Sequence, residues 1–169
     1  STVSVNTTAG FSIVTYTGTG ANATVGHGLG VAPKMVIVKR RSAIESWPVW
    51  HTSLTSGAYR IPLETTQAQL SVPAVFNSTI PTSTVISLGT DTASNASGST
   101  YVIYAWAEIA GFSKFGSYTA NGSTDGPFIY FGFRPKFVMI KNTNLSTENW
   151  LIMDSSRDTY NVSIYNLWP

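Results

Sequence analysis

The chain has 169 residues, of which 43% are hydrophobic and 11% are charged, whereas soluble domains average about 25% charged residues. This composition, in which Ser and Thr make up roughly a quarter of the residues, excludes intrinsic disorder and a charged helical bundle or coiled coil. The net charge of +2, from 10 basic and 8 acidic side chains, argues against nucleic-acid binding, and the absence of cysteine excludes disulfides, thiolate catalysis and Cys-ligated zinc.

Runs of β-branched and aromatic residues alternate with clusters of Gly, Asn, Pro and Ser, a pattern typical of short strands joined by turns. The densest apolar run, at residues 101–110, contains Glu108 and is too short to span a bilayer, so we expect no membrane insertion. In chain order, we predict strands at residues 12–17, 34–39, 49–53, 85–88, 101–109, 128–131, 136–141 and 150–153.

Turn signals and breakers refine this pattern. Asn121 and Gly122 tolerate the positive φ angles of a tight turn and predict a hairpin. Pro33 and Pro135 stand directly before predicted strands, where a missing N–H does least harm. The only helix-like stretch, at residues 63–70, is short and lacks a convincing apolar stripe. We therefore predict an all-β fold of antiparallel β-sandwich units.

A segment of about 100 residues recurs within the chain, which is the signature of a repeat architecture. Residues 9–12 return as residues 110–113, an offset of 101. Trp47 returns as Trp150 at an offset of 103. Between them, at an offset of 102, Gly30, Pro33, Lys34, Val36 and Lys39 match Gly132, Pro135, Lys136, Val138 and Lys141.

This repeat divides the chain into a first unit at residues 1–110 and a second at residues 111–169. The second unit stops short of a counterpart of residues 101–109, so it looks incomplete. We expect a partner chain or missing sequence to cover the resulting strand edge, because unpaired edges promote aggregation. Since Ser1 is not an initiator Met, we also expect the chain to be processed, excised or incompletely represented.

Two long motifs carry a family resemblance. Residues 10–18 with 25–39, and residues 111–118 with 126–128 and 132–135, resemble repeats in virion structural proteins of tailed, often marine, bacteriophages. Those proteins are usually described as tail-fibre or structural proteins. The resemblance covers nearly the whole chain and implies a virion structural role, on the surface of an extracellular particle. It supplies no catalytic or binding residues.

Three patterns suggest catalysis or ligand binding, and each has a stronger structural interpretation. The glycines at residues 26–30 lead into a β-rich run rather than the helix that a phosphate loop needs. Residues 111–116 are one residue too long for a nucleophile elbow. Glu108 shares a strand face with Tyr104 and Trp106, where a raised pKa would suit a glycosidase acid, but no partner carboxylate is identifiable.

Exposed aromatic rings that stack on sugars are the remaining candidate site. We consider Trp50, Trp47, Tyr59 and His51 as a carbohydrate-binding platform. The recurrence of Trp47 as Trp150 favours a core role for both, whereas Trp50 is equally compatible with core and ligand because its counterpart is Met153.

The sequence thus favours a non-enzymatic virion protein without cofactor, metal or catalytic residues. We expect a homo-oligomer, most simply a trimer as in phage fibres, that contacts other virion proteins and a host surface glycan. A capsid decoration or head-fibre protein and a carbohydrate-binding module are the alternatives.

Overall fold

The computed structural model describes residues 1–159 and 165–169, and its regular elements are almost entirely antiparallel strands, which confirms the all-β prediction. The strands are β1 (Thr2–Asn6), β2 (Phe11–Thr17), β3 (Ala23–Gly26), β4 (Met35–Arg40), β5 (Pro48–His51), β6 (Tyr59–Pro62), β7 (Leu70–Ser71), β8 (Val85–Leu88), β9 (Thr100–Trp106), β10 (Phe137–Ile140) and β11 (Leu151–Asp154). Two single-turn helices complete the set, α1 (Pro73–Phe76) and α2 (Thr92–Asn95).

Seven strands form one antiparallel sheet in the order β1-β2-β9-β4-β5-β6-β7. The late strand β9 lies between β2 and β4, pairing seven residues of the first and six of the second. Along β9 buried side chains alternate with half-buried ones, which suits a central antiparallel strand with one face on the core. Residues more than 80 positions apart thereby become neighbours, as in the pair Phe11 and Trp106.

The two faces of this sheet differ in cover. We call the face that carries Val14, Val36, Trp50 and Ile103 the inner face; all four side chains are buried. They join an apolar cluster with β3, β8 and the two helices, and this second layer gives the molecule its sandwich-like character. The opposite, outer face carries Phe11, Met35, Tyr104, Trp106 and His51.

The helix-like stretch at residues 63–70 is not a helix, since it runs from a turn into β7. The two short helices lie elsewhere and are set by capping residues. Pro73 occupies the first turn of α1, where its missing N–H costs nothing, and Asn77 ends that helix in the left-handed conformation. Asp91 caps α2 by accepting a hydrogen bond from Ala93 N at 2.8 Å.

Residues 111–169 contain one described hairpin, β10–β11, which forms its own two-stranded sheet. The predicted strand at residues 128–131 is absent, and Phe128 is 88% exposed because no neighbouring strand pairs with that stretch. Gly122 does adopt a positive φ of 70°, yet strands do not flank it, so the hairpin predicted at Asn121 and Gly122 is also wrong.

The repeat of about 100 residues and the two units that it defines stay predictions. Strands β1 to β9 lie within residues 1–110, and β10 and β11 within residues 111–169. The hairpin β10–β11 stands at the repeat positions of β4–β5, but the counterpart of β2 is not in a strand. The structure describes no helix long and apolar enough to cross a membrane within residues 1–159 and 165–169.

Candidate functional site

A row of aromatic and soft apolar side chains crosses the outer face of the sheet. Register pairs Phe11 with Trp106, Trp106 with Met35, and Met35 with His51, so four strands contribute one residue each to this row. Tyr104 lies in the next row, because residues two apart on a strand share a face. We call Phe11, Trp106, Met35, His51 and Tyr104 together the outer row.

The aromatic members of the outer row contact one another. The Phe11 ring centroid lies 5.1 Å from that of Trp106 and 6.5 Å from that of Tyr104, to which it is nearly parallel with an interplanar angle of 4°. Tyr104 and Trp106 are 6.3 Å apart. All three rings are half-buried, so their edges are packed while part of each surface meets solvent. Such preorganised aromatic surfaces bind flat apolar faces of ligands at low entropic cost.

A charged loop borders the outer row beyond the end of β9. Glu108 Oε1 accepts from Lys114 Nζ at 2.8 Å, and its Oε2 accepts from Phe115 N at 3.1 Å. These bonds to Lys114 and Phe115 hold the pKa of Glu108 below its usual value. The raised pKa that a glycosidase acid would need is therefore not found, and the carboxylate anchors the loop instead.

The same loop returns an aromatic residue to the outer row. The Phe115 ring lies 6.1 Å from the His51 ring, and His51 Nδ1 accepts a hydrogen bond from Ser53 N at 3.1 Å. Burial lowers the pKa of His51, so its imidazole is neutral at pH 7. His51 thus lies at the β5 end of the outer row, beside Phe115.

The structure does not bring together the four residues predicted as a carbohydrate platform. Trp50 is only 3% exposed and points to the inner face, opposite to His51, so its inclusion in an exposed platform is wrong. The physical reason is the pleat, since neighbouring residues on a strand point to opposite faces. Trp47 is half-buried, with Lys39 Nζ 5.0 Å from its ring centroid. Tyr59 is half-buried at the start of β6.

Three aromatic residues of the outer row, Phe11, Tyr104 and Trp106, were missing from the predicted platform. The signal that could have found two of them is the alternation of Tyr104 and Trp106 on one strand face. Phe11 could not be placed beside them from sequence, because β2 and β9 are far apart in the chain.

The other histidine, His27, is held by contacts within the core. His27 is fully buried; its Nδ1 accepts from Leu29 N at 3.2 Å, and its Nε2 lies 3.1 Å from Thr82 O. A neutral ring protonated on Nε2 satisfies both contacts, and burial lowers the pKa of this side chain. Within the described ranges 1–159 and 165–169, no three His, Asp or Glu side chains are grouped as metal ligands would be.

Comparison with known proteins gives one match. The model of a family described as a domain of unknown function, DUF7483, covers residues 1–169. No curated protein and no solved structure matches the chain.

Proposed function

The chain belongs to the DUF7483 family, and we propose that it is a non-enzymatic structural module of a bacteriophage virion, part of a tail fibre or a similar appendage. The sequence motifs at residues 10–39 and 111–135 motivate the virion assignment. In this role the module projects from the particle, presents its loops and sheet faces to the outside, and assembles with copies of itself and other virion proteins. A capsid decoration or head-fibre protein is the alternative within the same virion class.

One observation supports the non-enzymatic part of the proposal. Three titratable side chains of types that serve in acid–base catalysis are held by bonds within the protein. Glu108 binds Lys114 and the Phe115 amide, His27 is fixed between Leu29 and Thr82, and His51 accepts from Ser53. A carboxylate whose pKa is lowered is a poor proton donor at neutral pH.

The virion assignment is tested on particles purified from the biological source of this sequence. Mass spectrometry should find peptides from residues 1–169 in particles banded by density, and immunogold labelling should then place them on the tail or on the capsid. Native mass spectrometry of the released protein gives the oligomeric state, with a trimer expected for a fibre. Peptides found only in the infected-cell lysate, and never in banded particles, would overturn the proposal.

Binding of a host surface glycan is the second candidate function, and the outer row is the observation that favours it. Phe11, Tyr104 and Trp106 form one half-exposed aromatic surface of a kind on which sugar rings stack. Lys114 and Glu108 at its border supply polar groups for hydroxyls.

Substitution of the outer row tests glycan binding directly. Trp106→Ala is expected to weaken binding of any glycan found on an array by tenfold or more, because aromatic stacking contributes about 1–3 kcal/mol in comparable contacts. Tyr104→Ala, which removes a smaller ring from the same surface, should weaken it less. Tyr130→Ala, at an exposed aromatic residue outside the row, is the matched control and should bind like the unchanged protein. If Trp106→Ala and Tyr104→Ala bound the glycan as tightly as Tyr130→Ala does, the outer row would not be the glycan site.

A further inference from the structure

The hairpin β10–β11 repeats the hairpin β4–β5 pair for pair. In the first hairpin Met35 lies opposite His51, and in the second Phe137 lies opposite Asp154. The remaining pairs keep the same offsets of 102 on the first strand and 103 on the second. These pairs are Val36 with Trp50 and Ile37 with Val49, matched by Val138 with Met153 and Met139 with Ile152.

The polar contacts that close the two hairpins recur at the same offsets. Lys39 Nζ donates to Glu45 O at 2.7 Å, and Lys141 Nζ donates to Glu148 O. Backbone bonds follow the same rule: Thr52 N donates to Lys34 O at 2.8 Å, and Ser155 N donates to Lys136 O at 3.0 Å. The two hairpins are therefore equivalent in register and in closure.

Equivalent hairpins do not have equivalent neighbours. On the edge away from β5, β4 pairs with β9 through six residue pairs, from Met35 opposite Trp106 to Arg40 opposite Tyr101. Within the described part of the chain, β11 is the one strand that pairs with β10. The edge of β10 that corresponds to the β9 side of β4 thus has no described strand beside it.

Backbone geometry identifies which groups line that edge. Arg41 N donates to Thr100 O on β9, whereas Thr52 N on the β5 side donates to Lys34 O. Because antiparallel bonding alternates along a strand, odd-numbered residues of β4 face β9 and even-numbered residues face β5. Because β10 shares the register of β4, the N–H and C=O groups of Phe137 and Met139 face the open edge.

Side chains of residues 111–169 are exposed where their counterparts are covered. Tyr118 is 48% exposed, whereas its counterpart Tyr16 on β2 is 7% exposed. In residues 1–110, β2 reaches β4 only through β9, which lies between them. The absence of a β9-like neighbour therefore accounts both for the open β10 edge and for the missing strand at residues 113–119.

We propose that the open edge of β10 binds an extended segment of a second polypeptide with the chemistry of β9. Its alternate residues are an aromatic, a β-branched and a small side chain, as Tyr101, Ile103 and Ala105 are in β9. It lies antiparallel to β10 and bonds the backbone of Phe137 and Met139. Recognition of this kind is strand addition, in which backbone bonds give affinity and alternate side chains give specificity.

The β9 strand of a second copy does not meet this need, because it is bonded on both sides within its own sheet. Its removal would open the central ladder of that copy. The charge-poor edge also suits an uncharged strand, since Phe137, Val138, Met139 and Ile140 carry no charge. A β9-like strand of another polypeptide whose edges are both free fits the register and leaves both sheets intact.

The probe for this proposal is a synthetic peptide with the sequence of residues 99–108, labelled with a fluorophore and added to the chain of residues 1–169. Fluorescence anisotropy should show saturable binding, and hydrogen exchange should show new protection at the amides of Phe137 and Met139. The control peptide carries Tyr104→Pro, which removes a backbone donor on the edge of β9 that faces β4 in the native sheet and also bends the strand. It should bind at least tenfold more weakly.

Two variants at one position separate edge pairing from loss of a side chain. Phe137→Pro removes an N–H that faces the open edge but none that bonds β11, and it should weaken peptide binding by about tenfold or more. Phe137→Thr removes the same exposed ring but keeps the N–H, and it should bind within about threefold of the unchanged chain. Near-ultraviolet circular dichroism of both variants checks that the fold is kept.

Three outcomes would overturn the proposal. One is the absence of peptide binding to the intact chain. Another is equal binding by the Phe137→Pro and Phe137→Thr variants. The third is a concentration-dependent dimer, without peptide, that protects Phe137 and Met139, since this would identify a second copy as the occupant. The proposed virion role does not depend on any of these results, because virion composition tests it separately.

Discussion

Two buried polar side chains, Asn95 and His27, are each satisfied by specific partners. Asn95 is 1% exposed; its Nδ2 donates to Ala21 O at 2.6 Å and to Gly89 O at 2.7 Å, and its Oδ1 accepts from Thr19 N at 2.8 Å. His27, which directly follows β3, is satisfied in the same way at the other end of that strand. Such residues fix the positions of loops whose backbone would otherwise be buried without partners.

The titration of His27 is expected to make the protein less stable in mild acid. Burial lowers the pKa of His27 in the folded state below its usual value of 6.5, so the unfolded chain binds the proton more readily. Stability is therefore complete above about pH 6.5 and decreases as the pH falls toward the folded-state pKa. Urea unfolding between pH 7.5 and 5.5 should show a falling midpoint.

Two variants separate the contributions of the histidines to this pH dependence. His51 also has a lowered pKa, so it contributes in the same direction. We expect His27→Gln to remove the larger part of the decrease, because His27 is fully buried and both ring nitrogens are engaged. His51→Gln should remove the smaller part. A slope that is unchanged in His27→Gln would show that this imidazole does not carry the effect.

At the level of elements, two glycines at matching positions of the predicted repeat share turn geometry but not surroundings. Gly10 and its counterpart Gly111 both adopt positive φ, at 64° and 75°. A Cβ at Gly10 would lie 2.7 Å from Ala107 O, where β2 approaches the end of β9, whereas a Cβ at Gly111 would meet nothing within 4 Å. Glycine is thus required at position 10 both for the positive φ and for the close approach of Ala107, and at position 111 for the positive φ alone.

Alanine substitutions at these two glycines measure that difference. Gly111→Ala should lower the free energy of unfolding by about 1–2 kcal/mol, the cost of a left-handed conformation for a residue with a Cβ. Gly10→Ala should cost about 1–3 kcal/mol more, because the added methyl group also displaces the Ala107 carbonyl. Urea unfolding followed by tryptophan fluorescence gives both values. Equal losses would contradict the close approach of β2 and β9.

At the scale of the whole molecule, the hairpin β10–β11 is attached to the main sheet by a few contacts. Trp150 is buried in the common apolar cluster, and its Nε1 donates to Pro62 O at 2.9 Å. Gln69 N donates to Thr143 O, and Lys141 Nζ donates to Thr66 O. All these contacts reach the stretch from β6 to β7, at one edge of the seven-stranded sheet.

Trp150→Ala should therefore loosen the hairpin without unfolding the sheet. Loss of its indole removes one hydrogen bond and most of the apolar contact, so the amides of β10 and β11 should exchange at least tenfold faster. The amides of β9, which is paired on both sides, should keep their exchange rates. Tyr118→Ala, at an exposed aromatic residue of the same half, is the control. A uniform increase across β9 and β10 would show that the two sheets unfold together.

The sequence determined the class of the fold and several of its strands. Alternating apolar residues predicted β2, β4, β5, β8, β10 and β11 within two residues at each end. The predicted strand at residues 101–109 is also found, but β9 ends at Trp106 because the chain then turns into the Glu108 loop. These features follow from neighbouring residues, so no distant part of the chain is needed to predict them.

Tertiary structure alone decided which strands lie together and which faces are covered. Pairing of β9 with β2 and β4 joins distant segments, and no local pattern specifies such partners. Alternation places Trp50 and His51 on opposite faces, but only the packing of the second layer shows that Trp50 lies in the core. The predicted strand at residues 128–131 fails for the same reason. A strand is stable only beside a partner, and the partner is a property of the whole molecule.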